Sequence, residues 1–339
     1  MDHSRFLYAA LLPSGPKSSG LAHIRKKEPY DEVFIRYYPS KNIFLNLFAR
    51  FKFGLSLLIK STAFRKVVLR YPYSDPLLLI QLKLIGSKLI FEHHGKELLG
   101  PKYVKFNFRR IFEKRLRPII ERSTICRICV TEDVAYYQNL ISKKSTLIYP
   151  NPIITNSSVD LTHYQNYSIK RRYSACFVSS EFRPWHGFHK AINIFELLKD
   201  FEFVVVGKIR DLSLSNFPSN VIHYDYLSPS ELIELYNSCD CGIGSVGELK
   251  SVYTEFASLK TRDYLSNGLP VFLSFPDPLL TPSYCSRYLL DNIYIGPLTR
   301  NSLLDFLDKS IQADRGLMRD EFLKAVTNAV QSFNSALRK

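Results

Sequence analysis

The sequence predicts an α/β protein made of two Rossmann-like domains, each built on a parallel sheet. Short apolar stretches of strand length alternate with helical patterns along the chain, which is the order that parallel sheets require. The 339 residues are also many for a single hydrophobic core. Finally, a polar stretch at residues 154–172 separates two halves, and the second half begins again with a strand.

The first half, residues 1–153, is predicted to form an N-terminal domain. Its apolar runs predict strands over 6–12, 32–37, 66–70, 88–92, 125–131 and 146–149. The intervening patterns predict helices over 43–60, 76–85, 103–121 and 132–141. Thr131 precedes two acidic residues, so it is a favourable N-cap for the last of these helices.

The second half predicts a linker at 154–172 and a C-terminal domain at 173–339. Strands are predicted over 174–179, 202–207, 221–224 and 241–244, and a further strand begins at 271. Helices are predicted over 186–198 and 229–237, between Glu255 and Val271, and in a tail over 302–337.

Composition excludes several classes of protein. No N-terminal stretch has the apolar core and cleavage site of a signal peptide, and lysines or arginines interrupt every apolar window before the roughly 20 residues that a membrane span needs. Cys126 and Cys129 lie three apart in a predicted strand, where their side chains face opposite sides. We therefore expect buried thiols rather than zinc ligands or disulfides, and a cytoplasmic protein.

The positive charge is concentrated in the first half. Residues 1–155 hold 27 Lys+Arg against 11 Asp+Glu, a balance of +16, whereas the remaining residues balance to −1. Such asymmetry indicates an anionic partner. Nucleic acid is one candidate, but no helix-turn-helix, RNP-like or zinc-finger pattern accompanies the charge.

Two basic segments, 43–60 and 102–117, combine cations with aromatic and aliphatic residues at helical spacing. This pattern is typical of helices that lie on an anionic membrane. We expect peripheral membrane contact through these segments, with ordinary amphipathic helices as the alternative.

The segment from Glu255 to Phe272 is the most informative in the chain. Seven residues separate Glu255 from a second carboxylate, Asp263, and a Gly-Leu-Pro sequence then leads into a buried strand. Carboxylates accept hydrogen bonds from adjacent hydroxyl groups, and charge-assisted bonds are among the stronger ones. The spacing therefore suits a polyhydroxylated ligand.

This segment resembles the retaining family 4 glycosyltransferases of the GT-B fold, which carry Glu-x7-Glu/Asp followed by Gly-x-Pro. Lys260, Tyr264 and Leu265 also match a bacterial polysaccharide-biosynthesis branch, with Asp263 in place of its glutamate. The resemblance implies two domains facing a cleft. It also implies sugar transfer from a nucleotide-diphosphate donor to a glycan or lipid-linked acceptor, at the inner face of a membrane. No Asp-x-Asp stands in a metal-site context, and we expect no required metal or other cofactor.

The resemblance also assigns residues to the donor. It implies that Glu255 binds donor-sugar hydroxyls and that Asp263 binds the nucleotide ribose. Ser258 opens the helix between them, and backbone N–H groups there, with Lys260, are expected to bind the diphosphate.

The chain departs from the family at its usual Arg/Lys diphosphate pair. Glu181 stands where the arginine would be and His186 where the lysine would be. Arg183 and Lys190 are the candidate replacement cations, because a guanidinium or ammonium group close by can still reach phosphate.

On the acceptor side, His93 and His94 end a predicted strand, where functional loops of open α/β sheets lie. The resemblance implies a histidine beside the reacting sugar. We assign this role to His94, with His93 as the alternative. Gly20 closes a loop after the first strand and would let backbone approach a ligand, although a simple connecting loop is the alternative.

Three other functions remain open at this level. An inverting GT-B transferase would need a general base, a role that His94 fits. A sugar-nucleotide epimerase would use the same donor residues. A basic nucleic-acid-binding protein rests on charge alone.

Overall fold

The structure is a computed structural model that describes residues 5–13, 30–38, 43–72, 75–96, 108–151, 173–182, 186–209, 217–247, 253–280 and 293–338. The chain divides into two units, residues 1–150 with 330–339, and residues 151–329.

The first unit contains a six-stranded sheet in which every pairing is parallel. Its strands are β1 (Phe6–Pro13), β2 (Glu32–Tyr38), β3 (Lys66–Arg70), β4 (Leu89–His93), β5 (Arg127–Cys129) and β6 (Thr146–Ile148), in the spatial order β2-β1-β3-β4-β5-β6. Its helices are α1 (Ile43–Ser61), α2 (Pro76–Leu82), α3 (Phe108–Ser123) and α4 (Glu132–Ile141).

One face of this sheet is covered by helices α1, α2 and α3. Their inward residues, such as Phe53, Leu78 and Ile120, share one core cluster with Leu7 and Val67 of the strands. At the start of α4, Thr131 accepts a hydrogen bond from the Val134 N–H at 3.1 Å, which confirms the predicted cap.

The second unit contains another all-parallel six-stranded sheet. Its strands are β7 (Ser174–Glu181), β8 (Glu202–Lys208), β9 (Val221–Tyr224), β10 (Cys241–Ile243), β11 (Val271–Leu273) and β12 (Ile293–Ile295), in the spatial order β12-β11-β10-β7-β8-β9. Its helices are α5 (Phe188–Glu196), α6 (Pro229–Ser238), α7 (Leu259–Ser266), α8 (Arg300–Ser310) and most of α9 (Arg315–Arg338).

The strand order of the second sheet is that of the Rossmann fold. The chain runs outward from β7 through β8 to β9, and then returns to build β10, β11 and β12 on the other side of β7. Strand order therefore reverses between β7 and β10, and ligands of such sheets bind at the carboxyl ends of the strands at this point.

Residues of helix α9 fall in both units. Met318, Phe322 and Val326 are buried in its first part, whereas Phe333 and Leu337 join the core of the first unit with Tyr8 and Tyr149. The last ten residues thus group with the first unit, whereas the sequence analysis assigned them to the C-terminal domain. A helical apolar pattern does not reveal which sheet will cover it.

The sequence predictions of two parallel-sheet α/β domains are confirmed, and most elements end within a few residues of their predicted bounds. None of the helices in the described ranges is long and apolar enough to cross a membrane. The five described cysteines form no disulfide with one another. The predicted linker lies outside the described residues.

Candidate functional site

The strands β7 and β10 separate at the carboxyl edge of the second sheet. Only two residue pairs, Cys241 with Ala175 and Gly242 with Cys176, join them. Beyond these pairs the hydroxyl of Tyr264 replaces the ladder: it accepts from the Val178 N–H at 2.9 Å and donates to the Ile243 carbonyl at 3.3 Å. A side chain from α7 thus holds the two strands apart where the chain order reverses.

Backbone hydrogen bonds tie together the loops that follow these strands. The Val246 N–H donates to the His186 carbonyl at 3.1 Å, linking the loops after β10 and β7. The Ser274 N–H donates to the Ser245 carbonyl at 3.3 Å, and the Phe256 N–H donates to the Pro276 carbonyl at 2.9 Å. The segment that carries Glu255 is therefore fixed to the loops beside it.

Gly187 is required at the start of α5. Its φ of 71° lies in the left-handed region, and a Cβ built there would lie 2.5 Å from the Gly247 nitrogen. Any other residue would force the loops after β7 and β10 apart. His186 precedes it, with Nδ1 3.3 Å from the Ser179 hydroxyl, and Lys190 lies half-buried on the first turn of α5.

Helix α7 begins without a side-chain cap. Ser258 is the buried N-cap residue, yet its hydroxyl accepts no hydrogen bond from the helix. Four polar groups are buried around this helix start and its neighbouring loops with no hydrogen-bond partner among the described residues: Ser245 Oγ, Lys260 Nζ, Thr261 Oγ1 and Ser274 Oγ. Buried polar groups are normally satisfied, so this concentration fits a site that receives a polar ligand.

The Lys260 amine extends back over the sheet. Its Nζ lies 4.7 Å from the centre of the Phe177 ring on β7, out of contact with solvent. Burial lowers the pKa of Lys260 to about 7, because no anion among the described residues offsets the cost of desolvating the ammonium group. A bound anion would supply the missing charge.

The two carboxylates of the sequence motif lie in the same segment. Glu255 is half-buried in the loop before α7, and Asp263 lies on the helix. Burial raises the pKa of Asp263 to about 6, since desolvation disfavours the carboxylate. The loop before α7 and the second turn of the helix thus each carry one carboxylate of the motif.

A buried ion pair that the sequence analysis did not identify anchors α7. Arg262 and Asp277 are both buried, and the guanidinium donates to the Asp277 carboxylate. Burial raises the pKa of Asp277, an effect that the neighbouring Arg262 opposes. Asp277 also accepts from the Leu279 N–H at 3.0 Å, so the loop after β11 is fixed to the helix. An acid 15 residues after an arginine gives no recognisable signal in one sequence.

In the first unit, His94 follows β4 with a buried carboxylate beside it. Its Nε2 lies 3.1 Å from Glu92 Oε2, and the Tyr8 hydroxyl donates to the same oxygen at 2.8 Å. Glu92 is 1 % exposed, whereas the His94 side chain is 22 % exposed. The strand alternation that places residues i and i+2 on one face produces this pair.

His93 points into the opposite side of the sheet and is fully buried. Its Nδ1 lies 3.2 Å from Arg117, which donates to Glu121 at 2.6 Å and to Gln138. Gln138 in turn donates to the Gly95 carbonyl at 2.9 Å. This network fixes the turn after β4, and His94 is the histidine that solvent reaches.

Two of the predicted site residues, Arg183 and Gly20, lie outside the described residues. The other donor residues that the sequence singled out, His186, Lys190, Glu255, Ser258, Lys260 and Asp263, all belong to the second unit. Within the described ranges, no group of three His, Cys, Asp or Glu residues has an arrangement that could hold a metal ion.

The chain is similar to known proteins in its fold and not detectably in its sequence. No protein-family model matches the chain, and no curated protein matches it in sequence. Solved structures do match it along almost its whole length. Sucrose-phosphate synthase from Thermosynechococcus elongatus is 14 % identical with a TM-score of 0.63, covering 97 % of this chain and 94 % of that one.

Two further matches are structures with bound nucleotide. HepE from Anabaena, solved in complex with UDP, is 14 % identical with a TM-score of 0.62, covering 98 % of this chain and 99 % of its own. An alpha-glucosyltransferase in complex with UDP is 13 % identical with a TM-score of 0.55, covering 96 % and 95 %. At these identities the likeness concerns the fold. The chain has the GT-B fold of these glycosyltransferases, with two parallel-sheet α/β domains.

Proposed function

We propose that this protein is a glycosyltransferase that moves a sugar from a nucleotide-diphosphate donor to a glycan or lipid-linked acceptor. The observation that carries the proposal is the start of α7, where an uncapped helix N-terminus meets the buried amine of Lys260. Two phosphates would supply hydrogen-bond acceptors for the first turn of α7 and a negative charge beside the Lys260 amine. Neighbours of the same fold bind UDP, which supports a nucleotide of this kind.

The proposed roles follow from the chemistry of each group. The nucleoside diphosphate gains negative charge as its bond to the sugar breaks. The Ser258 N–H already donates to the buried Asp277 carboxylate. The backbone N–H groups that follow Ser258 in the first turn of α7, together with Lys260, would stabilise the charge without rearranging. Glu255 would accept hydrogen bonds from the donor sugar, and Asp263 from the ribose. His186, Lys190 and Arg183 are the further candidates for contacts with the diphosphate.

Nucleotide binding tests this proposal directly. In a thermal-shift screen with UDP, GDP and their sugars, a ligand at 100 times its Kd adds about 2.7 kcal/mol to the free energy of unfolding. We expect one nucleotide to stabilise the wild type, and Glu255→Ala and Asp263→Ala to reduce that shift.

Glu234→Ala is the matched control, because Glu234 is an exposed acid on α6 of the same unit. It should leave the shift unchanged. Absence of any shift with the wild type would contradict the transferase proposal. An unchanged shift in both acid variants would remove Glu255 and Asp263 from the site.

The stereochemistry has two candidates. The motif resemblance favours a retaining transfer, in which the leaving phosphate takes the acceptor proton. The Glu92–His94 pair favours an inverting transfer, because a carboxylate beside an imidazole orients it as a general base. Analysis of the product anomer distinguishes them. For an inverting enzyme, His94→Gln should also lower turnover about a hundredfold or more.

The proposed setting is bacterial polysaccharide assembly in the cytoplasm, at the inner face of the membrane. It rests on the motif resemblance and on the basic first half of the chain. Transfer in a crude membrane fraction, compared with added soluble glycans, would test whether the acceptor is lipid-linked.

A further inference from the structure

Helix α1 is apolar on both of its faces. Phe53 and Leu57 point inward and are at most 2 % exposed. On the outer side, Phe48, Phe51 and Ile59 are 65 %, 56 % and 65 % exposed. A helix that is hydrophobic all round is normally buried, so the outer side of α1 has the composition of a covered surface.

Helix α2 extends the same surface. The inward residues of α1 and α2 share one core cluster on one side of the first sheet, so their outer residues face away from it together. We call this surface the α1–α2 face and define it by exposed apolar residues of α1, α2 and the turn after α2, which are Phe44, Phe48, Phe51, Ile59, Ile80 and Leu84. Scattered exposed apolar residues are ordinary, but a contiguous set of this kind marks an interaction site.

The charges on this face have one sign. Helix α1 carries three cations and no acid, and residues 76–91 carry two cations and no acid. Arg50 pairs with Asp75, and Lys60 pairs with Glu32. Lys52 on α1 and Lys83, directly after α2, are exposed. An apolar surface whose helices carry exposed cations and no acids is complementary to anionic headgroups above an acyl layer.

We propose that the α1–α2 face docks this protein on the surface of an anionic lipid bilayer, with the outer aromatic side chains at the boundary of headgroups and acyl chains. A second copy of the chain is a poorer occupant. A twofold contact through this face would bring together two halves that each carry a balance of +16. A lipid surface satisfies the apolar side chains and the cations at once.

This inference does not depend on the proposed transferase activity. The α1–α2 face belongs to the first unit, and none of its residues is a donor-site candidate. Loss of nucleotide binding would therefore leave docking intact, and loss of docking would leave nucleotide binding intact.

Co-sedimentation of the full chain with vesicles tests the inference. We expect binding to an equal mixture of phosphatidylcholine and phosphatidylglycerol, and none to phosphatidylcholine alone. Phe48→Ser combined with Phe51→Ser should weaken binding to the mixed vesicles about tenfold. Because both side chains are exposed, the thermal unfolding temperature should stay the same.

Tyr136→Ser combined with Leu140→Ser is the matched control. These residues lie one turn apart on α4 and are 68 % and 69 % exposed, so the pair removes similar apolar surface from another helix. Binding should be unchanged. For charge, Lys52→Glu should weaken binding, whereas Lys324→Glu on α9 should not.

Several results would overturn the inference. One is a wild type that does not bind the mixed vesicles, and another is a Phe48/Phe51 variant that binds as the wild type does. Equal binding to phosphatidylcholine alone would overturn the anionic selectivity. Self-association in sedimentation velocity, abolished in the Phe48/Phe51 variant, would replace the lipid with a second copy of the chain.

Discussion

Burial shifts the pKa values of Lys260 and Asp263 in opposite directions. Both groups lose hydration at the start of α7, so the amine and the carboxylate are each biased towards their neutral forms. The cost of holding such groups in the free protein is offset when a ligand with the complementary charge and hydrogen bonds arrives. Perturbed groups of this kind concentrate at functional sites.

The pH dependence of nucleotide affinity follows from these two groups. Burial lowers the pKa of Lys260 to about 7, so affinity for a diphosphate should fall as pH rises through 7 and the ammonium group loses its proton. Burial raises the pKa of Asp263 to about 6, so nucleotide affinity should also fall as pH drops below 6 and the carboxylate is protonated. Calorimetric titration with UDP across pH 5–9 should give a maximum between the two values.

Lys260→Met tests whether deprotonation of Lys260 causes the loss of affinity above pH 7. Methionine keeps an unbranched apolar side chain of similar length without the charge, so affinity should be lower and should no longer fall through pH 7. In the free protein, folding stability should change with pH in the opposite direction to nucleotide affinity. Below 7 the folded state must hold a buried ammonium that the unfolded chain hydrates freely, so the wild type gains stability as pH rises from 7 towards 10.5 and the variant should not. A pH profile that persists in the variant would assign the titration to another group.

Among the helices and strands, α7 makes the contacts that position the loops of the candidate site. Its Tyr264 hydroxyl stands between β7 and β10, and its Arg262 holds the loop after β11. Its first turn also carries the Lys260 amine and the Thr261 hydroxyl, which are buried with no hydrogen-bond partner among the described residues. Residues that are neighbours in the sequence motif thus have different structural roles. Tyr264 bridges the strands, whereas Lys260 and Asp263 are the residues that we propose bind the donor.

Tyr264→Phe tests the spacing role. Removing the hydroxyl leaves the Val178 N–H and the Ile243 carbonyl without this partner, which should cost about 1–3 kcal/mol in the free energy of unfolding. Denaturant unfolding measures this. Tyr226→Phe is the control, since Tyr226 is 69 % exposed and its change should stay within about 0.5 kcal/mol. Equal effects of the two substitutions would show that the hydroxyl does not hold the strands.

At the scale of the whole molecule, α9 is the element that belongs to both units. Phe333 stacks on Tyr149 with ring centres 3.8 Å apart, and Lys66 donates to the Leu337 carbonyl. The first unit therefore completes its core only when residues 333–337 have been made. Phe322, three turns earlier, is fully buried in the second unit.

Phe333→Ala should destabilise the first unit by about 3–5 kcal/mol, because a buried aromatic ring is replaced by a cavity. Native-state hydrogen exchange should report the loss in β1 and β3. The matched substitution Phe322→Ala should instead lower protection in β10 and β11. If Phe333→Ala left exchange in the first sheet unchanged, the C-terminal residues would not be part of that core.

Patterns within the sequence were enough to predict the two α/β domains and most elements, because strand and helix periodicities and the turn residues between them are local signals. They also singled out Glu255, Asp263, Lys260 and His94, since these lie in a motif or at a strand end. The tertiary structure decided which of the two histidines solvent reaches, because His93 and His94 face opposite sides of β4 and only the packing of α3 buries one of them.

The tertiary structure also decided the partners that lie far apart in the chain. The Arg262–Asp277 and Glu92–Tyr8 contacts, and the return of Phe333 to the first core, join residues whose separation carries no local pattern. Periodicity showed that α1 was amphipathic with cations, but only its packing against the sheet showed that the outer side is apolar as well. A sequence records which residues are apolar, and the fold alone determines which of them remain uncovered.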